Sequence, residues 1–521
     1  MKRYILSVLF ACAILNISAQ EALHIRSHWS NYDIPVEEID SITIGTLSNS
    51  DKLPALMAND PNISLFYEAL LLTGMADSLN VPIYDYSYTG LTDEELEFVS
   101  SYTDRVYGDM SCAPIHYSKR MFTAFVESNE VYAKNAIYDI EDLKAYAAKI
   151  YNEVYPEDAG INDPTNRRNS LNRFVSYHLL DRFCDTENLV AATMTDCLGN
   201  SISNCFLLYR YDAYDCYETM MPHSLLRISY GAKTQYKHYI NRKYGYYNGS
   251  NEYREYHIMG SPIVADKCDY MASNGVYHYI DQIISYDKET QNTVLSERLT
   301  FDISTLSPEL ANNAIRHNRT PFLLPSRMMK NISYGGSQHL VYEPGAVNFW
   351  CYQTDELLLL PPYDSIGVTL KLPPVPAGWY QLCFSVVPMA HRGVVQFYID
   401  DEPCGEPVDL RKDALDYGWF SNYDNDGNYL SEEEIIAKEN EFRENGWMKG
   451  LNNYACNYDG THIMRDLSVT IRRIVGYYYT DGKTDHYLRI KPVDGVHEIM
   501  LDYIQLTPKE IYDWEHNYLY E

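Results

Sequence analysis

The chain has 521 residues, with 72 acidic against 42 basic side chains and a formal net charge of −30. That balance excludes nucleic acid and anionic membrane surfaces as partners, since phosphate binding needs clustered cations. A hydrophobic share of 46% excludes disorder throughout, and at roughly 150 residues per domain the length has room for about three domains.

The start, Met1-Lys-Arg followed by the apolar stretch from Tyr4 to Ile17 and then Ser-Ala-Gln, has the pattern of a secretory signal peptide. It covers residues 1–19 with cleavage after Ala19, and is too short to cross a membrane. A rival reading takes Leu9-Phe-Ala-Cys12 as a lipoprotein box, which would leave Cys12 as a lipid anchor. Either way the chain is expected to be exported, to the surface or periplasm of a Gram-negative envelope or beyond it, and its net charge becomes −32 once Lys2 and Arg3 are lost. No later stretch has the apolar length of a transmembrane segment. Ten further cysteines are thinly spread with no Cys-x-x-Cys pair, so their pairing stays open and no zinc knuckle is expected.

The next elements follow in order. Phe122 to Tyr132 is a strand running into a helix, with Phe125 in the strand, Ser128 as N-cap, and Asn129 and Glu130 in the first turn. Ile140 to Ile150 is an amphipathic helix. From Asn169 to Leu180, Leu171, Phe174, Val175, His178 and Leu179 share one helical face. His178 there is expected to be a hydrogen-bonded core histidine, with Tyr177 the more exposed contact candidate. Tyr217 to Ile228 has the look of a strand pair. Asn274-Gly275 marks a turn feeding a strand in which Val276, His278 and Ile280 alternate with Tyr277, Tyr279 and Asp281.

Taken together, these blocks resemble the fasciclin family over residues ~42–290. The strand-into-helix block matches the family's first signature, with Val126-Glu127 where Ala-Pro is usual. Tyr177-His178 matches its Tyr-His helix, and the strand after Asn274-Gly275 its closing strand. The resemblance implies an α+β domain with helices on a small β-wedge, and a role in extracellular adhesion. It also implies that His178 ties its helix to the first signature through Ser128 or a neighbour.

Tyrosine is over-represented, 50 against 15 phenylalanines. Twelve tyrosines lie between Tyr209 and Tyr256, including Tyr236, Tyr239, Tyr246 and Tyr247, among several Lys and Arg residues. That is either a half-exposed sheet or a contact surface.

Residues 291–335 lack a strong period, carry Pro308, Pro321 and Pro325, and are expected to be a linker. Residues 336–521 are strand-like. Tyr380, Leu382, Phe384 and Val386 alternate with Gln381, Cys383, Ser385 and Val387, and Val395, Phe397 and Ile399 lead into a turn at Asp400. Asp481-Gly482 suggests a hairpin between the strands on either side. Glu498 to Pro508 resembles the last strand of a galactose-binding-like or carbohydrate-binding jelly roll. The expected fold is thus an α+β fasciclin-like domain followed by an all-β sandwich. The acidic stretch from Ser431 to Asn445 is a helix-prone surface insertion.

Trp350, Trp379, Trp419 and Trp447 are either sandwich core or a sugar-stacking platform. Asn422 to Glu433 approaches the calcium loop, with Asp424, Asp426, Gly427 and Glu433 in place but Asn at the first position, and a polar surface loop is the competing reading. No other cofactor is expected. The catalytic motifs of serine hydrolases, zinc proteases, phosphate loops and dinucleotide folds are absent from the sequence, while a glycosidase carboxylate pair would be invisible in it. The expectation is a non-catalytic adhesion or binding protein with an extracellular protein or glycan partner. A glycan-binding accessory of polysaccharide utilisation, acting through the sandwich, and a glycosidase-like enzyme are the alternatives.

Overall fold

The computed structural model describes residues 52–85, 90–102, 112–115, 117–190, 213–230, 237–243, 258, 260–316, 318, 320–335, 338–344, 351–361, 367–450, 470–493 and 497–512, with backbone strands alone at 22–26, 31–35, 193–195, 201–203, 246–247 and 253–254. Residues 1–48 and 49–521 form two separate units. In the smaller, Ala22–Arg26 pairs antiparallel with Asn31–Pro35. The expected signal peptide and Cys12 lie outside the described residues.

In the larger unit, the first half collects short helices around a four-stranded sheet ordered Tyr270–Ala272, Gly275–Ile280, Phe122–Glu127, Leu179–Leu180. The two central strands run parallel, Gly275 opposite Phe122 through Ile280 opposite Glu127. Parallel strands covered by helices are buried on both faces, and every residue from Gly275 to Ile280 is buried. The alternation expected from Val276 onward therefore does not separate a wet face from a dry one.

Gly275 is required for a different reason from the turn chemistry expected of it. A Cβ there would lie 2.3 Å from the Phe122 carbonyl oxygen, so only glycine lets the two strands approach. Beside it Asn274 is a fully buried clamp: its Oδ1 accepts from Leu53 N at 2.8 Å and its Nδ2 donates to Leu79 O at 2.7 Å, tying two helices to the strand. Ser128 caps the helix Asn129–Lys134 by accepting from Val131 N, and Glu130 in its first turn is exposed and pairs with Lys134. Asn129 reaches across to Leu65 N and Pro61 O. The helices Ile140–Val154 and Ser170–Tyr177 pack on each other, and Ala213–Glu218 forms an antiparallel hairpin with Leu225–Tyr230.

The second half is built from three five-stranded sheets. The tryptophan sheet is ordered Leu299–Asp302, Tyr503–Pro508, Gly378–Val386, Ile471–Thr480, Trp447–Lys449. The leucine sheet is ordered Ile499–Leu501, Asp355–Leu360, His339–Pro344, Phe322–Leu323, Ala113–Pro114. The third sheet is ordered Ile332–Tyr334, Val368–Lys371, Tyr487–Pro492, Val394–Ile399, Glu402–Asp409. Phe384 of the first sheet meets Phe397 of the third with ring centroids 5.3 Å apart, the contact of a sandwich. Leu357, Leu358 and Leu359 are fully buried, each contributing roughly 1.5–3 kcal/mol of hydrophobic stabilisation. The architecture mixes helices with several sheets, compatible with an α+β half followed by a β-sandwich half.

Three local expectations are corrected. Residues 291–335 carry strands of all three sheets: Leu299–Asp302 pairs with the closing strand, Phe322–Leu323 with His339–Pro344, and Ile332–Tyr334 with Val368–Lys371. Their prolines sit at helix starts and strand ends, where a missing N–H is harmless, so they mark turns rather than a linker. The strands flanking Asp481-Gly482 belong to different sheets, so this turn is a crossing between sheets, closed by Asp481 accepting from the Lys483 and Thr484 amides. Glu498 to Pro508 is two strands, Ile499–Leu501 in the leucine sheet and Tyr503–Pro508 in the tryptophan sheet, with the buried Asp502 at the switch. The acidic helix is present as Glu432–Glu444, capped by Ser431, and rests Ile435 and Phe442 inward.

Candidate functional site

The pairing of Gly378–Val386 with Ile471–Thr480 sets Trp379 opposite Tyr479, and Gln381 opposite Tyr477. Opposed residues share a face, so one face of the tryptophan sheet carries these four in two rows. Trp379, Tyr479 and Tyr477 are 50%, 54% and 52% exposed, while Tyr380 and Tyr478 between them point to the other face and are buried. The Trp379 and Tyr479 rings lie 5.8 Å apart, and Tyr477 meets Tyr512 at 5.2 Å. The floor is polar: the Gln381 amide donates to the Tyr477 hydroxyl at 3.2 Å, and Thr507, opposite Gln381 on the next strand, has a buried hydroxyl with no hydrogen-bond partner among the described residues. Rings that stand out from a rigid sheet beside an amide suit the alternating C–H and hydroxyl surface of a sugar ring.

The other sequence candidates fall differently. Tyr177 is fully buried, donating to Leu225 O at 3.0 Å and accepting from Asn241 at 2.8 Å, which corrects its reading as a contact residue. Burial pushes its hydroxyl far above the ordinary range. Tyr239 is half-buried under the Arg242 guanidinium, and Tyr236 lies outside the described residues, as do the side chains of Tyr246 and Tyr247. Trp447 is buried against Tyr417 at 4.2 Å, Trp419 is half-buried beside Lys449, and Trp350 lies outside the described residues. Of the four tryptophans only Trp379 is placed as a platform among the described residues.

His178 and Phe125 are fully buried. His178 Nδ1 bonds the Phe174 carbonyl at 2.7 Å and Nε2 meets Glu127 Oε1 at 2.8 Å, so its partner is the residue before Ser128. Glu127 also accepts from Tyr132 at 2.8 Å, which binds strand, helix and histidine into one interior network. Asp281 is exposed just past the closing strand, its carboxyl raised by partial desolvation against the pull of Lys134 and Lys237.

The calcium-loop stretch is a small hairpin bridged at Tyr423 and Tyr429. Asp424 accepts from the Asp426 and Asn428 amides and from the Asn428 side chain, so its oxygens are used within the loop. Asp426 is exposed, and Glu433 sits in the first turn of the following helix. No group of three acidic, histidine or cysteine side chains able to hold a metal occurs among the described residues.

Three cysteines are withdrawn from solvent. Burial pushes the thiols of Cys112, Cys184 and Cys216 up to about 12, away from nucleophilic thiolate character. Asp185 is pushed up to about 6 by burial and then by Asp269, the pattern of a carboxylate pair. Its oxygen is held by Asn188, however, and Asp269 is held by Thr186.

No family model matches the chain, and no curated protein does either. Among solved structures it is similar to a Paenibacillus xanthan lyase, at 12% identity over 34% of this chain and 12% of the lyase, with a TM-score of 0.20. It is also similar to a FAS1 domain pair of the insect cell adhesion molecule Fasciclin I, at 14% identity over 46% of this chain and 52% of that one, with a TM-score of 0.23. The chain thus spans about an eighth of the lyase and about half of the domain pair. TM-scores this low carry no argument about fold or activity.

Tyr477 and Tyr479 were not singled out by the sequence pattern as contact residues, although the run Tyr477-Tyr478-Tyr479 was visible. A three-tyrosine run in a strand must put rings on both faces, and that was the available signal.

Proposed function

We propose that the chain is an exported, non-catalytic envelope protein that binds carbohydrate through the Trp379, Tyr479 and Tyr477 face of its second half, with the helical half as a fused, fasciclin-like support. The observation that carries this reading is the register placing three half-exposed rings beside the Gln381 amide on one rigid sheet. The acidic chain favours neutral saccharides over polyanions.

Affinity electrophoresis of the whole chain through gels containing a panel of polysaccharides tests it. Retardation by at least one polysaccharide is expected, and Trp379→Ala and Tyr479→Ala should abolish it. Free migration through every gel, or retardation unchanged in both variants, would sink the carbohydrate reading.

A second reading, adhesion to a protein, is favoured by Tyr270 and Met271 on the edge strand of the helical half, 37% and 44% exposed. Release of reducing sugar from a retained polysaccharide would replace both with the glycosidase reading.

A further inference from the structure

A cavity of about 20 Å³ lies where the helical half meets the sandwich half. Cys216, Glu218 and Leu225 line it from the hairpin of Ala213–Glu218 with Leu225–Tyr230, Phe301 from the tryptophan sheet, and Lys371 from the third sheet. A volume of that order admits one water-sized body and little more.

Arg182, just past the strand Leu179–Leu180, also lines this cavity and is only 3% exposed. Its Nη1 donates to the carbonyl of Thr305, itself part of the wall, at 2.6 Å. Its Nε is buried and has no hydrogen-bond partner, and the guanidinium forms no ion pair among the described residues. The Tyr217 ring, 5.0 Å away, offers it a π face but neither a counter-charge nor a lone pair for Nε.

The carboxylates nearby are engaged elsewhere. Asp215 is held by Arg316 at 3.1 Å and Asp181 by Lys330. Glu218, the one carboxylate in the lining, is held by Lys371 at 3.1 Å, and Asp485 meets the same ammonium at 3.2 Å. Cys216 adds no charge, because burial pushes its thiol up to about 12. Leu225, Phe301, Leu306 and Leu372 supply the apolar part of the wall.

A buried guanidinium needs a counter-charge, and a buried N–H needs an acceptor. A water meets the second need alone. A monatomic anion meets both and suits the size of the cavity, whereas sulfate, phosphate and carboxylates are too large for it. We propose that a single chloride ion sits in this cavity against Arg182 Nε, as a structural ligand at the junction of the two halves.

Added salt of any kind relieves self-repulsion in so acidic a chain by screening. The chloride ion acts by a separate route: it binds only where Arg182 and the cavity walls are assembled, and so favours the fold by mass action.

The test is the urea midpoint of the whole chain in sodium chloride from about 1 mM to about 1 M, with sodium gluconate keeping the ionic strength constant, because gluconate is too large for the cavity. In wild type the folded-to-unfolded ratio should rise up to about tenfold for each tenfold increase in chloride above the dissociation constant. Bromide should replace chloride and sulfate should not. In Arg182→Gln the response should vanish, while general salt effects on the surface are common to both proteins and cancel in the difference. No chloride response in wild type, or an equal response in Arg182→Gln, would overturn the proposal. Should Arg182→Gln not fold, crystals of wild type grown in bromide decide: an anomalous peak beside Arg182 Nε supports it, and a water in that place overturns it.

Discussion

Tyr277 and Tyr279 in the strand Gly275–Ile280, and Tyr477 and Tyr479 in the strand Ile471–Thr480, have the same spacing and opposite surroundings. The first pair is 2% and 3% exposed, the second 52% and 54%. Tyr277 and Tyr279 both donate to the Asp60 carboxylate, and Tyr270 stacks on Tyr277 at 4.7 Å, so a helix start and an edge strand cover them. Tyr477 and Tyr479 have ring neighbours beside them, Tyr512 and Trp379, and keep half their surface in water. Period two in a strand assigns side chains to faces. What lies over each face is decided by residues far away in sequence, 217 positions away for Asp60 and Tyr277.

The comparison can be broken most severely at the interior network of the covered sheet. His178→Ala leaves Glu127 buried without its ring partner and should cost about 3–5 kcal/mol, read as a large drop in urea midpoint or loss of soluble protein. Gly275→Ala forces a Cβ onto the Phe122 carbonyl and should cost about 3 kcal/mol or more, with Asn274→Ala milder because the strands can still meet.

The exposed face should respond in the opposite way. Trp379→Ala and Tyr479→Ala should each change stability by less than about 1 kcal/mol while weakening retention of a bound polysaccharide at least about tenfold. Equal losses of stability and retention would show that these rings are core after all.

The smallest effect is expected at Asp60. Burial raises its carboxyl, but hydrogen bonds from Tyr279, Tyr277 and Asn62 outweigh this and hold it below the usual range. Its contribution is then present above the unfolded value near 4 and lost as pH falls through the folded one. In Asp60→Asn the acid limb of the stability curve should flatten slightly, with Tyr277 and Tyr279 fluorescence shifting toward that of exposed tyrosine. The urea midpoint between about pH 2 and about pH 5 checks this.

Much of the local structure was legible in the sequence. The helix started by Ser128, the amphipathic helix from Ile140 and the strands at Tyr380 and Val395 rest on short-range signals such as caps and periods. Long-range pairing was not legible. Nothing near Asp481-Gly482 marks its two strands for different sheets, and nothing near Pro308 or Pro321 says that the surrounding segments complete sheets seeded elsewhere. The candidate site shows the same division. Trp379 was in view as one of four alike tryptophans, and the feature that separates it from Trp447 is register against Tyr479, a pairing across 100 residues that composition does not encode.

The short strand Ala113–Pro114 lies early in the chain yet runs parallel to Phe322–Leu323 at the edge of the leucine sheet. A cut anywhere between those strands would give two pieces, each missing part of a sheet that the other holds. Such pieces cannot be moved between proteins as independent cassettes. Co-expressed, they should find each other and rebuild one particle in the manner of a split reporter, so a nick in this region would leave a molecule that runs as one species until denaturant is added.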